Sequence, residues 1–260
     1  MLDTRKHYLQ IALNGTLEDA RTIIRALPVS ERIIYEAGTP LIKRYGEQGI
    51  RAIRTAIDAK AGFGVVPTTS DFGGGLLGML ANAAIGAAAK KHPTVPQPLV
   101  GSRPYLVADI KAMDRGTTEV EICLRGGADA ATVLGTAPTE TIDAFVAMCE
   151  QHGMDAMIDM MNVEFPIEVL GKLKKRPKVV ILHRGVDEER LNREKQIPFW
   201  AIQRILGTYN MMIAIAGGDT AREVQRATFN GANIVVVWKD FYTSTANTKT
   251  LAETFLTDTK

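Results

Sequence analysis

The chain has 260 residues and a formal net charge of +2, from 31 Lys and Arg against 29 Asp and Glu. This near balance gives no basis for a nucleic-acid-binding surface or an anionic-membrane surface. Residues 1–5 are polar with no signal-peptide core after them, and the weakly polar run 76–89 is too short to span a bilayer. Cys123 and Cys149 lack metal-binding spacing, so we expect buried free thiols in a cytoplasmic protein.

Short apolar runs recur along the chain, and each is followed by a segment with helical periodicity. The predicted strands are 8–13, 32–37, 105–110, 130–134, 156–161, 179–183, 211–216 and 233–238. The predicted helices are 17–27, 40–57, 117–125, 139–151, 166–175, at least one within 188–206, 220–229 and 248–257. This alternation requires parallel strands, and eight units in this length predict an α/β fold, a (β/α)8 TIM barrel. An open doubly wound sheet is the alternative.

One segment, 59–103, interrupts this alternation between the second helix and the third strand. It contains three successive glycines at 73–75, the Leu/Ala/Gly-rich run 76–89 and several prolines. We treat 1–260 as a single barrel domain with 59–103 as an insertion, which leaves from the barrel face opposite the active site. Three alternatives are expected for it: it covers that face, it contacts a second subunit, or it is disordered.

A barrel places its chemistry at the C-terminal ends of its strands. Glu36 ends the second predicted strand and Asp109 lies on the third, so the two carboxylates are on neighbouring strands about 4.8 Å apart. Such a pair suits Mg²⁺ or Mn²⁺ with water and substrate oxygens as the other ligands. The alternative is that both acids merely pair with Lys111.

The third strand carries the charges around which we expect the site to form. The apolar run 105–108 predicts a buried strand, and Asp109 and Lys111 then lie two residues apart on one face. A buried acid and amine are costly unless they are paired or hold a ligand. Asp114 follows just past the strand, near the start of the next helix.

A glycine-rich turn after the seventh strand is a candidate phosphate site. Gly217, Gly218, Asp219 and Thr220 precede a helix, where backbone N–H groups and the helix N-terminus favour an anion. Barrel phosphate sites commonly use the loops after strands seven and eight. Lys239, after the eighth strand, offers a cation there.

His183 and Arg184 end the sixth predicted strand. A histidine at this position can move protons near neutral pH, and the adjacent arginine favours a functional over a purely structural role.

Together these motifs resemble a known family. The spacing Asp109-x-Lys111-x-x-Asp114 is similar to the signature of the orotidine monophosphate decarboxylase superfamily. Within it, segments 36–43, 109–116, 133–135 and 216–218 resemble 3-hexulose-6-phosphate synthases, most closely the synthase domain that archaea fuse to a formaldehyde-activating domain. Arg115-Gly116 follows Asp114, where orotidine decarboxylases usually have Ile-Pro, and this favours the sugar-phosphate branch.

The resemblance implies a (β/α)8 homodimer with active sites shared across the subunit interface. It implies that Glu36 and Asp109 bind Mg²⁺ or Mn²⁺, that Lys111 stabilises or protonates an enediolate, and that Asp114 reaches into the partner's site. The implied substrate contacts are Asn14, Glu36, Lys43, Arg184, Gly217, Gly218, Asp219, Thr220 and Lys239. Relatives usually have Asp in place of Asn14, and often Gly-Arg or Gly-Ser in place of Trp238-Lys239.

The implied reaction interconverts D-ribulose 5-phosphate plus formaldehyde with D-arabino-hex-3-ulose 6-phosphate. The expected partners are therefore a phosphorylated ketose and formaldehyde, with no nucleic acid and no membrane. Three enzyme alternatives remain: a 3-keto-L-gulonate-6-phosphate decarboxylase, an orotidine decarboxylase-like enzyme, and a Schiff-base aldolase that uses Lys111. The non-enzymatic alternative is a catalytically impaired phosphosugar-binding protein.

Overall fold

Eight parallel strands close into a barrel in which each strand pairs with the next and β8 pairs with β1. The computed structural model describes residues 2–63, 99–192, 194–217, 221–237 and 245–259. The strands are β1 (Tyr8–Leu13), β2 (Ile33–Ala37), β3 (Tyr105–Ala112), β4 (Ala130–Leu134), β5 (Asp155–Asp159), β6 (Val179–His183), β7 (Met212–Ala216) and β8 (Ile234–Val237). The closed sheet confirms the predicted (β/α)8 barrel and excludes the open doubly wound alternative.

Helices alternate with the strands along the chain. They are α1 (Leu17–Ala26), α2 (Thr39–Ala61), α3 (Gly116–Gly126), α4 (Thr139–Gln151), α5 (Pro166–Lys172), α6 (Val186–Leu191), α7 (Phe199–Thr208), α8 (Ala221–Phe229) and α9 (Thr245–Asp258). Region 188–206, predicted to contain at least one helix, holds parts of two, α6 and α7. Within the described ranges, no helix has the length and apolar character needed to cross a membrane.

Local sequence signals set several of the helix ends. The Thr16 hydroxyl accepts a hydrogen bond from the Asp19 N–H, and the Asp19 carboxylate accepts one from the Thr16 N–H, so a capping box begins α1. Pro40 lies in the first turn of α2, where its missing N–H costs nothing. Gly62 ends α2 with φ 80°, a left-handed conformation that glycine adopts without a steric penalty.

The apolar side chains form two layers. One cluster fills the barrel interior and includes Ile34, Val107 and Met157. The larger cluster lies between the strands and the surrounding helices and includes Cys123 and Cys149. Both cysteines are buried and free, as predicted.

An ionic cluster, the base cluster (Arg54, Asp58, Arg103 and Asp129), joins α2 to the N-terminal end of β3, and Arg54 and Asp58 are its buried members. Arg54, only 5% exposed, donates to Asp58 Oδ1 at 3.2 Å and also to an Asp129 carboxylate oxygen. It also donates to the carbonyl oxygens of Gly127 and Pro104, and Arg103 Nη2 donates to Asp58 Oδ2 at 2.5 Å. All three nitrogens of the Arg54 guanidinium and both carboxylate oxygens of Asp58 therefore have partners.

The described parts of the chain on either side of residues 64–98 meet directly. The Leu99 N–H donates to the Ala61 carbonyl oxygen at 2.9 Å, and Asp58 on α2 binds Arg103 just before β3. Of the predicted insertion, 59–61 belong to α2, and 64–98 lie outside the described residues.

Candidate active site

A cavity of about 230 Å³ opens at the C-terminal ends of the strands. Seven of the predicted site residues line it: Asn14, Glu36, Asp109, Lys111, His183, Arg184 and Gly217. They come from β1, β2, β3, β6 and β7 or the residues directly after them, so closure of the barrel brings distant parts of the chain to one place.

A chain of alternating charges runs across the cavity. Lys111 Nζ donates to Asp109 Oδ1 at 3.1 Å and to Asp159 Oδ2 at 2.7 Å. Nδ1 of His183 lies 2.8 Å from the same Asp159 oxygen. Four side chains from β3, β5 and β6 thus form one continuous network, and Asp159, at 1% exposed, is its most deeply buried member.

The meeting of Asp109 and Lys111 depends on an irregularity in β3. The two side chains are in contact, as predicted. The prediction assumed the regular alternation of side chains along a strand, and β3 is not regular here. Pairing with β4 shifts register between Ala108 and Ala112, and Lys111 has φ 49°, in the left-handed region. A non-glycine residue pays a steric cost there, and such strain concentrates at functional sites.

Two threonine hydroxyls hold the Asp109 carboxylate. Thr39 Oγ1, at the start of α2, donates to Asp109 Oδ2 at 2.8 Å. Thr132 Oγ1, on β4, donates to Asp109 Oδ1 at 2.8 Å. With Lys111 also bound, the orientation of this carboxylate is fixed from three sides.

Glu36 lies in a different environment from Asp109. Its Oε2 accepts a hydrogen bond from Gln10 Nε2 at 2.5 Å, inside the barrel. Burial and the neighbouring Asp109 charge raise the pKa of Glu36 to about 7. In the alternative stated above, both acids pair with Lys111. Asp109 does pair with Lys111, whereas the hydrogen-bond partner of Glu36 is Gln10.

The charges of the network stabilise one another's ionised forms. Burial opposes ionisation of Asp159, but His183 and Lys111 outweigh it and hold the pKa of this carboxyl well below its usual range. Burial also disfavours the charged forms of Lys111 and His183, yet Asp109 and Asp159 raise the pKa of Lys111, and Asp159 raises that of His183. Lys111 is therefore an ammonium ion held between two carboxylates.

The cavity contains hard oxygen donors of the kind that a divalent cation prefers. Glu36, Asp109 and Asp159 supply three carboxyl groups against the single ammonium of Lys111, which leaves two negative charges when Glu36 is ionised and His183 is neutral. Throughout the described ranges, no cluster of three or more His, Cys, Asp or Glu is arranged to hold a metal. Mg²⁺ suits such a site, because it commonly takes one or two carboxylates and keeps water and substrate oxygens.

Arg184 is the central residue of the cavity wall that follows the C-terminal ends of β6 and β7. Its Nη2 donates to the Gly217 carbonyl oxygen at 2.7 Å and lies 3.5 Å from a Glu223 carboxylate oxygen. Gly217 has φ 89°, and a Cβ there would come within 2.1 Å of the Arg184 carbonyl oxygen. Only glycine fits this close approach, so the first glycine of the predicted phosphate turn has a steric reason to be there.

Several predicted site residues lie elsewhere. Asp114 and Lys43 are exposed and do not line the cavity, and Asp114 Oδ1 accepts the Arg115 N–H at 2.8 Å. Their functional roles stay predictions. Gly218, Asp219, Thr220 and Lys239 lie outside the described residues.

The site also contains residues that were not singled out from the sequence. Asp159 is one of these, and its only signal in the sequence is an acid at the end of the buried strand β5. Gln10 was detectable as a polar residue within an otherwise apolar strand. Thr39 and Thr132 gave no signal, since threonine is ordinary at a helix start and within a strand.

Comparison with known proteins gives relatives along nearly the whole chain. The bifunctional enzyme Fae/Hps of Methanosphaera stadtmanae is 32% identical over 256 residues, which are 96% of this chain and 52% of that protein. The enzyme of the same name from Methanocaldococcus jannaschii is 32% identical over 219 residues, 84% of this chain and 44% of that protein. The chain thus spans about half the length of the curated relatives it matches.

Solved structures share the barrel. A 3-hexulose-6-phosphate synthase from Salmonella typhimurium superposes with a TM-score of 0.68 at 21% identity, covering 96% of this chain and 99% of that one. The model of the orotidine 5'-phosphate decarboxylase / HUMPS family matches residues 103–251, which hold Asp109, Lys111, Asp159 and His183. This match covers more than half of the chain and confirms the resemblance seen in its motifs. The chain therefore belongs to the orotidine 5'-phosphate decarboxylase / HUMPS family.

Proposed function

We propose that this chain is a 3-hexulose-6-phosphate synthase, which interconverts D-ribulose 5-phosphate plus formaldehyde with D-arabino-hex-3-ulose 6-phosphate. The observation that carries the proposal is the network of Asp109, Lys111, Asp159 and His183 at the barrel mouth, beside Glu36. The names of the curated relatives and of the Salmonella enzyme support it.

In the synthetic direction, a base removes a proton from C1 of ribulose 5-phosphate to give an enediolate. C1 then forms a bond to the formaldehyde carbon, and the formaldehyde oxygen takes up a proton to become the new hydroxyl. His183 is suited to take the C1 proton through Nε2, because Asp159 holds Nδ1 and stabilises the imidazolium that forms.

Lys111 supplies positive charge where the enediolate develops. Its ammonium lies between Asp109 and Asp159, and a fixed cation in a buried site stabilises developing negative charge strongly. An ammonium held by two carboxylates has no lone pair for attack on a carbonyl, so this geometry disfavours the Schiff-base alternative. Glu36 and Asp109 are the proposed ligands of Mg²⁺ or Mn²⁺, which when bound would act as a Lewis acid toward the substrate oxygens.

We expect the purified chain to release formaldehyde from D-arabino-hex-3-ulose 6-phosphate in the presence of Mg²⁺. Removal of the metal with EDTA should lower the rate by at least about a hundredfold, and Mg²⁺ or Mn²⁺ should restore it. Borohydride added with substrate should leave the enzyme unmodified, since no imine is expected.

Other outcomes would separate the alternatives. Full activity in EDTA with covalent trapping by borohydride would favour a Schiff-base aldolase. Decarboxylation of 3-keto-L-gulonate 6-phosphate without aldol activity would place the chain with that branch. Tight binding of ribulose 5-phosphate without turnover of either substrate would indicate a binding protein.

We also propose that the active chain is a homodimer whose subunits share their sites. Asp114 is exposed after the end of β3, and three large apolar side chains that follow β3, β5 and β6 are exposed as well: Met113, Phe165 and Val186 are 49%, 52% and 46% exposed. All three follow strand ends on the face that carries the cavity. Exposed large apolar side chains that share one face of a domain are typical of a protein contact.

Mixing two inactive variants tests this assembly. Asp114→Ala and Asp109→Asn should each be inactive alone, whereas mixed and reassembled subunits should recover activity. In the mixed dimer, one site combines an intact Asp109 with the partner subunit's Asp114. Continued inactivity of a mixture that light scattering shows to be dimeric would contradict shared sites, and a monomer with full activity would contradict the dimer.

A further inference from the structure

Thr132 connects the two charged residues of β3 through a single hydroxyl. This threonine lies on β4, is 1% exposed and lines the cavity. Its Oγ1 donates to Asp109 Oδ1 at 2.8 Å and accepts the Lys111 backbone N–H at 3.0 Å. One hydroxyl thus holds the carboxylate of Asp109 and the backbone of Lys111 at the same time.

The backbone of Lys111 needs such a partner. Pairing between β3 and β4 is irregular between Ala108 and Ala112, so the Lys111 N–H is not part of a regular ladder. A buried N–H without a partner is costly, and the left-handed φ of 49° adds strain. The Thr132 hydroxyl satisfies this N–H at the one residue whose unusual backbone aims the ammonium between Asp109 and Asp159.

The hydroxyl also has the right chemistry for both contacts together. It has one proton to donate, which goes to Asp109, and lone pairs that can accept from Lys111. Valine has nearly the same shape but can do neither, whereas serine can do both. Comparison of the valine and serine variants therefore separates the effect of the hydroxyl from the effect of side-chain volume.

We propose that Thr132 is a positioning residue of this site, which fixes Asp109 and Lys111 relative to each other for the reaction. Its kinetic consequence rests on the proposed function, and its structural consequence does not. Thr132 acts through Asp109 and Lys111 rather than on the substrate.

Thr132→Val should lower kcat by about ten- to a hundredfold, the scale on which residues that support reactive groups act. KM for the sugar phosphate should stay within about threefold, because the residues that bind the substrate remain. Thr132→Ser should retain at least about half of the wild-type kcat. The matched control is Thr141→Val, a buried threonine on α4 away from the cavity, which should leave kcat unchanged.

A second measurement tests the hydrogen bond between the Lys111 N–H and the Thr132 hydroxyl directly. Amide hydrogen exchange at Lys111, followed by NMR, should be about tenfold faster in Thr132→Val than in the wild type, and near the wild-type rate in Thr132→Ser. This measurement needs no substrate and no turnover. If the wild type has no aldol activity but exchange at Lys111 follows this pattern, the proposed function fails and the positioning role stands.

Three results would overturn the inference. One is a Thr132→Val enzyme with kcat within twofold of an active wild type. Another is a Thr132→Ser enzyme as impaired as Thr132→Val, which would point to packing rather than to the hydroxyl. The third is unchanged exchange at Lys111 in Thr132→Val.

Discussion

Asp109→Asn is expected to lower kcat/KM for hexulose 6-phosphate cleavage by about a thousandfold, the upper range for loss of one electrostatic group at a reacting centre. The carboxylate accepts from Lys111, Thr39 and Thr132 at once. The neutral amide of asparagine has no negative charge to hold the ammonium. Its NH₂ group is a donor and cannot accept a hydrogen bond where a carboxylate oxygen does. The substitution also removes an anionic oxygen from the proposed cation site.

The measurement is the initial rate of formaldehyde release over a range of Mg²⁺ concentrations. The matched control is Asp258→Asn, an exposed aspartate on α9, which should retain the wild-type rate. Thermal unfolding of both variants shows whether the barrel is intact. An Asp109→Asn enzyme that folds and works at the wild-type rate would remove this residue from the site and the proposed mechanism with it.

The sequence predicted the members of this site better than their contacts. Asp109, Lys111 and His183 were predicted from strand ends and spacing, because a parallel barrel brings all such ends to one face. The partner that joins them, Asp159, could not be predicted, because a single acid at the end of a strand is common and no motif marks it. The left-handed Lys111 was also beyond prediction, because it depends on the register shift between β3 and β4.

Arg54→Met is expected to lower the free energy of unfolding by about 3–5 kcal/mol, the cost of breaking a buried ion pair from one side. Arg54 neutralises Asp58 and Asp129 in the base cluster and donates to the carbonyls of Gly127 and Pro104. Methionine fills similar space but leaves two carbonyls without this donor, and Asp58 then keeps Arg103 while Asp129 loses its arginine. In a chain of this length the loss corresponds to a fall in Tm of about 10 °C.

The control for this prediction lies one turn away on the same helix. Arg51 pairs with Glu47 at 2.6 Å, but its side chain is 50% exposed. Water screens such a pair, so Arg51→Met should cost less than about 1 kcal/mol. Equal shifts in Tm for the two variants would mean that burial of the base cluster does not matter to stability.

The fold itself was largely predictable from the sequence, and the errors of that prediction have local causes. The order of strands and helices followed from hydrophobic periodicity, which reports burial on one face of each element. Element ends were less predictable: α2 continues through Ala61, where Gly62 stops it, beyond the predicted end at Ile57. The base cluster could not be predicted, because Arg54 and Asp58 at helical spacing look like any exposed pair until tertiary contacts bury them.

The hydrogen bond between Leu99 and Ala61 has an evolutionary consequence. Because the barrel itself brings these two positions within 2.9 Å, lengthening or shortening the intervening polypeptide leaves the strand order untouched. In general, the entropic cost of closing a chain segment between two fixed ends grows only slowly, by about 0.6 kcal/mol for each doubling of its length. We therefore expect natural variants to differ in length at this point while they keep the same cavity at the opposite end of the barrel.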